Sequence, residues 1–306
     1  MQVPMKALIA LLPFFLQVNA AASGSGTTTR YWDCCKASCS WPGKAALAPG
    51  SSPVGSCGVK GPLSDPTGMA VSGCNGGPSY MCADQTPWAV TDDMAYGYAA
   101  VNIAGGSESS WCCACYELTF TSTSIAGKKM IVQATNTGGD LAGNQFDIAM
   151  PGGGVGLFNG CTSQFGAPSS GWGSQYGGLK SSSACSSLPS ALQSGCNFRF
   201  GWFEGADNPT VTYKQVQCPA ALTKGTGCKR ADDSGMPLPD GGVGSGTAPN
   251  PPSKTPSPPS QTPSPPPKNP SAPTKNPTKT PSAPASTPTP TGTPDDDDDT
   301  CDADDE

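Results

Sequence analysis

Apolar positions in this chain fall into short runs of two different periods. Tyr116, Leu118 and Phe120 alternate with polar residues, and so do Phe198, Phe200 and Trp202, and Val211 and Tyr213. A period of two puts every apolar side chain on one face of an extended backbone, so each run predicts a strand. Met130-Ile131-Val132 is a short apolar run of the kind buried in a sheet. Phe146, Ile148, Ala149 and Met150 enclose Asp147, which predicts another strand. Met94, Tyr98 and Val101 lie at helical spacing behind Thr91-Asp92-Asp93, which reads as a helix cap. Ser187-Leu188-Pro189 predicts the start of a second, short helix before Cys196. Many short strands with few helices, separated by Gly, Asn and Ser turns, give a mainly β chain, expected to close into a barrel with long loops.

The two ends follow other rules. Residues 1–20 read as a secretory signal peptide: Lys6 supplies the positive charge, Ala7 to Leu16 the apolar core, and Val18-Asn19-Ala20 the cleavage site. That apolar core is too short to span a bilayer, and no other segment is longer and as apolar. The chain is therefore expected to be secreted, with no membrane partner. Residues 21–28 form a short lead-in, and 29–234 carry nearly all the aromatic residues, enough chain for one domain. From 235 to 294 the composition turns to Pro, Ser, Thr, Lys and Gly, which predicts an extended, disordered linker open to O-glycosylation. Residues 295–306 are an acidic tail.

Composition narrows the chemistry. The 306 residues include no histidine, which removes Ser-His-Asp triads, Cys-His pairs and His-ligated zinc. Acid and base roles must fall to Asp, Glu, Lys, Tyr or Cys. No phosphate-binding or dinucleotide-binding glycine motif is present, so no nucleotide cofactor is expected. Of the 15 cysteines, 14 lie between Cys34 and Cys228, an even set that in a secreted protein implies disulfides rather than a metal site. Net charge is −6, but from Ser23 to Ser234 there are 12 Lys and Arg against 13 Asp and Glu. A domain this close to neutral, without basic clusters, is a poor partner for nucleic acid and a fair one for an uncharged polymer.

Two segments carry candidate chemistry. In Thr29-Arg30-Tyr31-Trp32-Asp33-Cys34-Cys35, a carboxylate follows two aromatic rings and precedes clustered cysteines. Aromatic faces stack on sugars, and glycosidic cleavage needs carboxyl groups beside them. In Gly138-Gly139-Asp140 through Phe146-Asp147, one carboxylate sits on a Gly-rich loop and the other among apolar neighbours. Burial disfavours the anion, so Asp147 is expected to have the raised pKa that a general acid needs. The plainer readings are that Tyr31 and Trp32 are core residues and that Asp147 points outward from an alternating strand.

Residues 29–39, Cys82 to Val90, Trp111 to Phe120, and Phe146-Asp147 through Gly156 resemble glycoside hydrolase family 45 endoglucanases. The resemblance spans about residues 29–233. It implies a six-stranded double-psi β-barrel with disulfide-pinned loops, crossed by a substrate groove. It also implies endo-cleavage of a β-1,4-glucan such as cellulose, with inversion, by a monomer that needs no cofactor. Carried over residue by residue, Asp33 matches the general base, Asp147 the general acid, and Asp140 an assisting carboxylate on a mobile loop. Thr29 and Tyr31 match groups near the scissile bond, and Trp41 a sugar-stacking residue. Trp32, Trp88 and Trp111 are expected to be buried packing. The bridges implied are Cys34–Cys161, Cys35–Cys74, Cys39–Cys112, Cys57–Cys82, Cys113–Cys228, Cys115–Cys218 and Cys185–Cys196.

The chain departs from the family pattern twice. Gln145 stands where a histidine is expected just before Phe146-Asp147. The linker runs into residues 295–306, which hold Cys301 and no aromatic residue and so offer no cellulose-binding face. The competing readings are a non-hydrolytic expansin-like wall-loosening protein and a disulfide-rich inhibitor or defence protein. The first lacks an N-terminal base, so Asp33 in its intact motif favours the enzyme. The second has no use for two carboxylate segments with aromatic neighbours.

Overall fold

The computed structural model describes residues 21–242. The expected signal peptide, most of the linker and the acidic tail lie outside the described residues. Six strands form the frame: β1 (Ser23–Tyr31), β2 (Met94–Asn102), β3 (Cys115–Phe120), β4 (Lys129–Asn136), β5 (Gln145–Ala149) and β6 (Thr210–Val216). Their order is β2-β4-β3-β6-β1-β5, and β5 pairs back onto β2, which closes the sheet. The β1–β5 and β2–β4 pairs are parallel and the other four antiparallel, giving the double-psi barrel. Closure leaves no open edge among the six.

Alternation decides what fills the barrel. Tyr116 and Leu118 of β3, Met130 and Val132 of β4, Phe146 and Ile148 of β5, and Tyr213 of β6 form one core. Tyr116, Phe146 and Tyr213 meet edge to face, with centroids 5.1–6.2 Å apart. The opposite strand faces, with Tyr31, Tyr96, Tyr98 and Ile131, pack under the loops in a second core that includes Trp32 and Trp88. Trp111 is buried in the first core. Seven disulfides pin the loops: Cys34–Cys161, Cys35–Cys74, Cys39–Cys112, Cys57–Cys82, Cys113–Cys228, Cys115–Cys218 and Cys185–Cys196. Cross-links of this kind stabilise a domain by roughly 2–4 kcal/mol each, chiefly by restricting the unfolded chain.

Two sequence expectations are corrected here. The helix expected through Met94, Tyr98 and Val101 is strand β2. The Thr91 hydroxyl accepts from the backbone N–H groups of Asp93 and Met94, as a cap would. The chain then turns, with Val90 and Thr91 donating to Met94 O, and enters a strand. Because β2 pairs on both sides and is buried on both faces, its apolar run has no polar face, and the helical spacing is incidental. The strand expected at Phe198, Phe200 and Trp202 is also absent. α1 (Ser190–Phe200), the helix expected after Pro189, runs through Phe198 and Phe200. Phe198 and Trp202 stack at 5.3 Å, an i,i+4 contact that the two-residue reading mistook for alternation.

The chain beyond residue 234 does not leave the barrel at once. Gln217 N–H donates to Pro237 O, and Asp240 N–H donates to Glu117 Oε2 at 2.7 Å. The first residues of the segment expected to be a free linker therefore lie along β3, β4 and β6.

Candidate active site

The site lies where the parallel β1–β5 pair ends. Thr29 is opposite Asp147, and Tyr31 opposite Ala149. Phe146 and Ile148 are buried in the barrel, so Gln145 and Asp147 face the other way, as strand alternation requires. A groove of about 630 Å³ opens on that face, lined by Thr29, Tyr31, Asp140, Gln145 and Asp147 together with the 153–156 and 175–180 loops. Asp147 thus points off the barrel core into a groove rather than outward to bulk water.

Asp33 follows β1 by two residues and is 8% exposed. Its backbone is clamped, since Gly160 N–H donates to its carbonyl at 2.7 Å. Just before it, Trp32 N–H donates to Gly154 O and Met150 N–H to Tyr31 O. The next residue, Cys34, has φ 61°, a left-handed conformation unusual for a residue with a side chain, and it is tied to Cys161. Strain held by surrounding bonds is typical of functional sites. Glycine is required nearby: a Cβ on Gly178, at φ +69°, would sit 1.9 Å from Gly152 O. That contact brings the 173–178 loop down against the turn that supports β1. Arg199 of α1, itself buried, donates to the same carbonyl at 2.8 Å.

The two carboxyl groups are both perturbed. Burial pushes Asp147 up to about 7, helped by the charges of Asp140 and Asp33 and opposed by a hydrogen bond from Thr29 and by Arg30. Its Oδ1 is buried and carries no hydrogen bond. Burial also pushes Asp33 up to about 6, while the Cys35 N–H, donating to Oδ1 at 2.9 Å, pulls it back. Tyr31 is held well above its ordinary value, first by burial and then by Asp33, so its phenol stays neutral. Asn136 donates to that phenol oxygen at 3.3 Å.

Asp140 rides on a loop secured at both ends. At its start, Trp111 Nε1 donates to Thr137 Oγ1 at 2.9 Å, and Thr137 in turn donates to Glu108. At its end, Asn102 Nδ2 donates to Leu141 O, and Ala142 N–H donates to Gln145 Oε1. Asp140 itself stays exposed between these ties.

Thr29, Tyr31, Asp140 and Asp147 line the groove; Asp33 is buried and not among the lining residues, and it acts on Asp147 and Tyr31 through its charge. Trp41 is not part of the groove lining; it is half-buried, with the Lys36 ammonium 3.6 Å from its ring centre. Sequence reading missed Arg30, Tyr176 and Asp207. Arg30 lies between two residues already singled out, and it reaches across the groove end to Asp207 at 2.6 Å. Tyr176 is 64% exposed on a Gly-rich loop, where a lone ring among glycines was the available signal. Among the described residues, no group of three or more His, Cys, Asp or Glu side chains is placed to hold a metal ion.

Comparison with known proteins gives the family. Residues 25–229 match glycosyl hydrolase family 45. A Fusarium oxysporum relative provisionally named endoglucanase type K is 57% identical over 236 residues, covering 76% of this chain. This chain spans only 61% of that relative's length. An endoglucanase of Cryptopygus antarcticus is 54% identical over 226 residues, 74% of this chain and 98% of its own. The crystal structure of a cellulase from that Antarctic springtail superposes with a TM-score of 0.65 at 56% identity, over 68% of this chain and 98% of the springtail protein. With a family match over two thirds of its length and relatives of this identity, the chain belongs to glycosyl hydrolase family 45.

Proposed function

We propose that the protein is a secreted endo-β-1,4-glucanase that hydrolyses cellulose and related β-glucans with inversion. Asp147 is the general acid and Asp33 the general base. The observation that carries this reading is the Asp147 carboxyl group, raised to about 7 by burial on a residue that lines the groove. A carboxyl group that keeps its proton near neutrality on a groove wall suits protonation of a leaving glycosidic oxygen. In the same step Asp33, ionised above about pH 6, takes a proton from water attacking the opposite face of the sugar. The proton balance closes: the acid gives one to the leaving oxygen and the base removes one from water. Asp140 adds negative charge beside the oxocarbenium-like transition state when its loop lies over the sugar, and the neutral Tyr31 phenol orients the ring there. The endoglucanase names of the relatives support the substrate class.

The test is reducing-sugar release from soluble carboxymethyl cellulose, with NMR of the first-formed anomer from a cello-oligosaccharide. Inversion yields the α anomer from a β linkage. A β product would replace the base with a nucleophile. Absence of any release would favour a non-hydrolytic, expansin-like protein.

A further inference from the structure

Gln145 opens β5 two residues before Asp147, on the same strand face. It is partly buried, and both ends of its amide are engaged. Its Oε1 accepts from the backbone N–H of Ala142 at 3.3 Å, and its Nε2 donates to Thr29 Oγ1 at 3.1 Å. A side-chain amide has only donors at nitrogen and only acceptors at oxygen. The Ala142 N–H is a donor, so the oxygen end must face it. The nitrogen end must then face Thr29, and the hydroxyl of Thr29 must accept. A hydroxyl that accepts there has its single proton free for another partner, and the partner across the β1–β5 pair is Asp147.

We propose that Gln145 is a positioning residue for this reaction: its amide aims the Thr29 proton at Asp147 while fixing the loop that carries Asp140. The inference rests on the functional reading above and deepens it. It makes one uncharged side chain the link between the acid and the carboxylate of Asp140 on the loop. An amide does not titrate, so the link keeps the same polarity at every working pH, which an imidazole in its place would not. The direction of the effect follows. A hydrogen bond donated to a carboxylate stabilises the anion, so its loss raises the carboxyl pKa. The other groups acting on Asp147 are Asp33 after β1, Asp140 on the loop, and Arg30 and Tyr31 on β1. Asp33, Arg30 and Tyr31 are not moved by loss of the amide; Asp140 rides on the loop that the amide holds, and its release would lower the Asp147 pKa, opposite in sign to the lost hydrogen bond.

The experiment uses the full chain with Gln145→Met, Thr29→Val, and the double variant. Each single substitution keeps the approximate volume and removes one hydrogen-bonding group. The Asp147 carboxyl is titrated directly by carbon NMR, which does not depend on turnover. Amide hydrogen exchange at Ala142 reads the loop. Gln145→Met should raise the Asp147 titration by roughly half a pH unit or more, the ordinary size of a lost hydrogen bond. Thr29→Val should raise it similarly, and the double variant no further, because both break one relay. Exchange at Ala142 should quicken several-fold in Gln145→Met and stay unchanged in Thr29→Val. Additive shifts, or an Asp147 titration unmoved in Gln145→Met, would overturn the proposal. Gln145→Glu, which keeps the acceptor for Ala142, should restore slow exchange there; failure to do so would also count against it. The functional reading fails separately, if Asp147→Asn stays fully active.

Discussion

Thr29 and Asp147 face each other across the parallel β1–β5 pair, and the threonine hydroxyl, which accepts from Gln145 Nε2 at 3.1 Å, keeps its proton for the carboxyl group. This pairing is fixed by register: a slip of one residue in β5 would turn Asp147 into the barrel and Phe146 into the groove. The barrel core therefore specifies the site. Phe146 locked between Tyr116 and Tyr213 is what leaves Asp147 no other direction.

If Asp147 supplies the proton, Asp147→Asn should lower kcat/KM on unactivated cello-oligosaccharides by about 10²–10⁴-fold, the usual weight of a general acid. Aryl glycosides with acidic leaving groups need little protonation and should lose much less. Equal losses on both substrates would remove the acid from the mechanism. Oligosaccharide affinity, read by calorimetry, should hold, since the side chain keeps its size.

Asp33→Asn should be as damaging on both substrate types, because water activation is needed whatever the leaving group. A variant with full activity on either would show that another group is the base. Asp140→Asn should cost less than either, since its contribution is charge on an exposed loop.

The wild-type rate should trace a narrow bell against pH. Asp33 must be ionised, so activity should rise through about pH 6; Asp147 must be protonated, so it should fall through about pH 7. On an aryl glycoside with a good leaving group, the alkaline limb should flatten while the acid limb stays. A profile with no limb below pH 8 would contradict the burial assigned to these groups.

The same burial carries a cost in stability. Both folded carboxyls titrate above the unfolded value near 3.9, so the folded chain holds protons that the unfolded chain releases. Their stabilising contribution is full below about pH 4 and is lost as pH rises through 6 and 7. Each unit of upward shift corresponds to about 1.4 kcal/mol. Asp147→Asn and Asp33→Asn should therefore melt several degrees higher than wild type at pH 8, with the gap closing toward pH 4. Calorimetry at both pH values reads this, and a lower melting temperature at pH 8 would refute it.

The sequence announced strands where one face is polar. β3 and β6 alternate cleanly, so their period was visible. β2 pairs on both sides and buries both faces, and its residues can be fitted to a helix as easily as to a strand. α1 failed the other way: Phe198, Phe200 and Trp202 alternate by accident, while the Phe198–Trp202 stack shows the true spacing. The carboxylates Asp33, Asp140 and Asp147 were legible as motifs, because the chemistry needs those residue types beside aromatic or Gly-rich segments. The double contact of Gln145 was not, since it depends on Ala142 and Thr29 arriving from separate elements.

The last prediction concerns where the domain ends. Composition alone puts the boundary near residue 234, because Pro, Ser and Thr dominate afterwards. The packing puts it later. Glu117 is on β3 with its side chain 1% exposed, and three groups surround its carboxylate. Lys129 of β4 lies 3.1 Å away, Lys214 of β6 lies 3.6 Å away, and the Asp240 N–H donates at 2.7 Å. The Asp240 side chain pairs with both lysines in turn, which holds its own pKa below the usual carboxylate range. Those exposed ion pairs are worth little, about 0–1 kcal/mol each. The bond to the buried carboxylate is worth more, since leaving such a group short of a partner costs about 1–3 kcal/mol. Truncation after Gly242 should therefore leave the melting temperature unchanged, whereas truncation after Met236 should lower it by several degrees. Asp240→Ala keeps the backbone donor and should fall between, close to wild type. The groove residues lie on other strands, so turnover on soluble glucan at 25 °C should survive all three changes. Identical melting temperatures for the two truncations would show that residues 237–242 add nothing to the barrel.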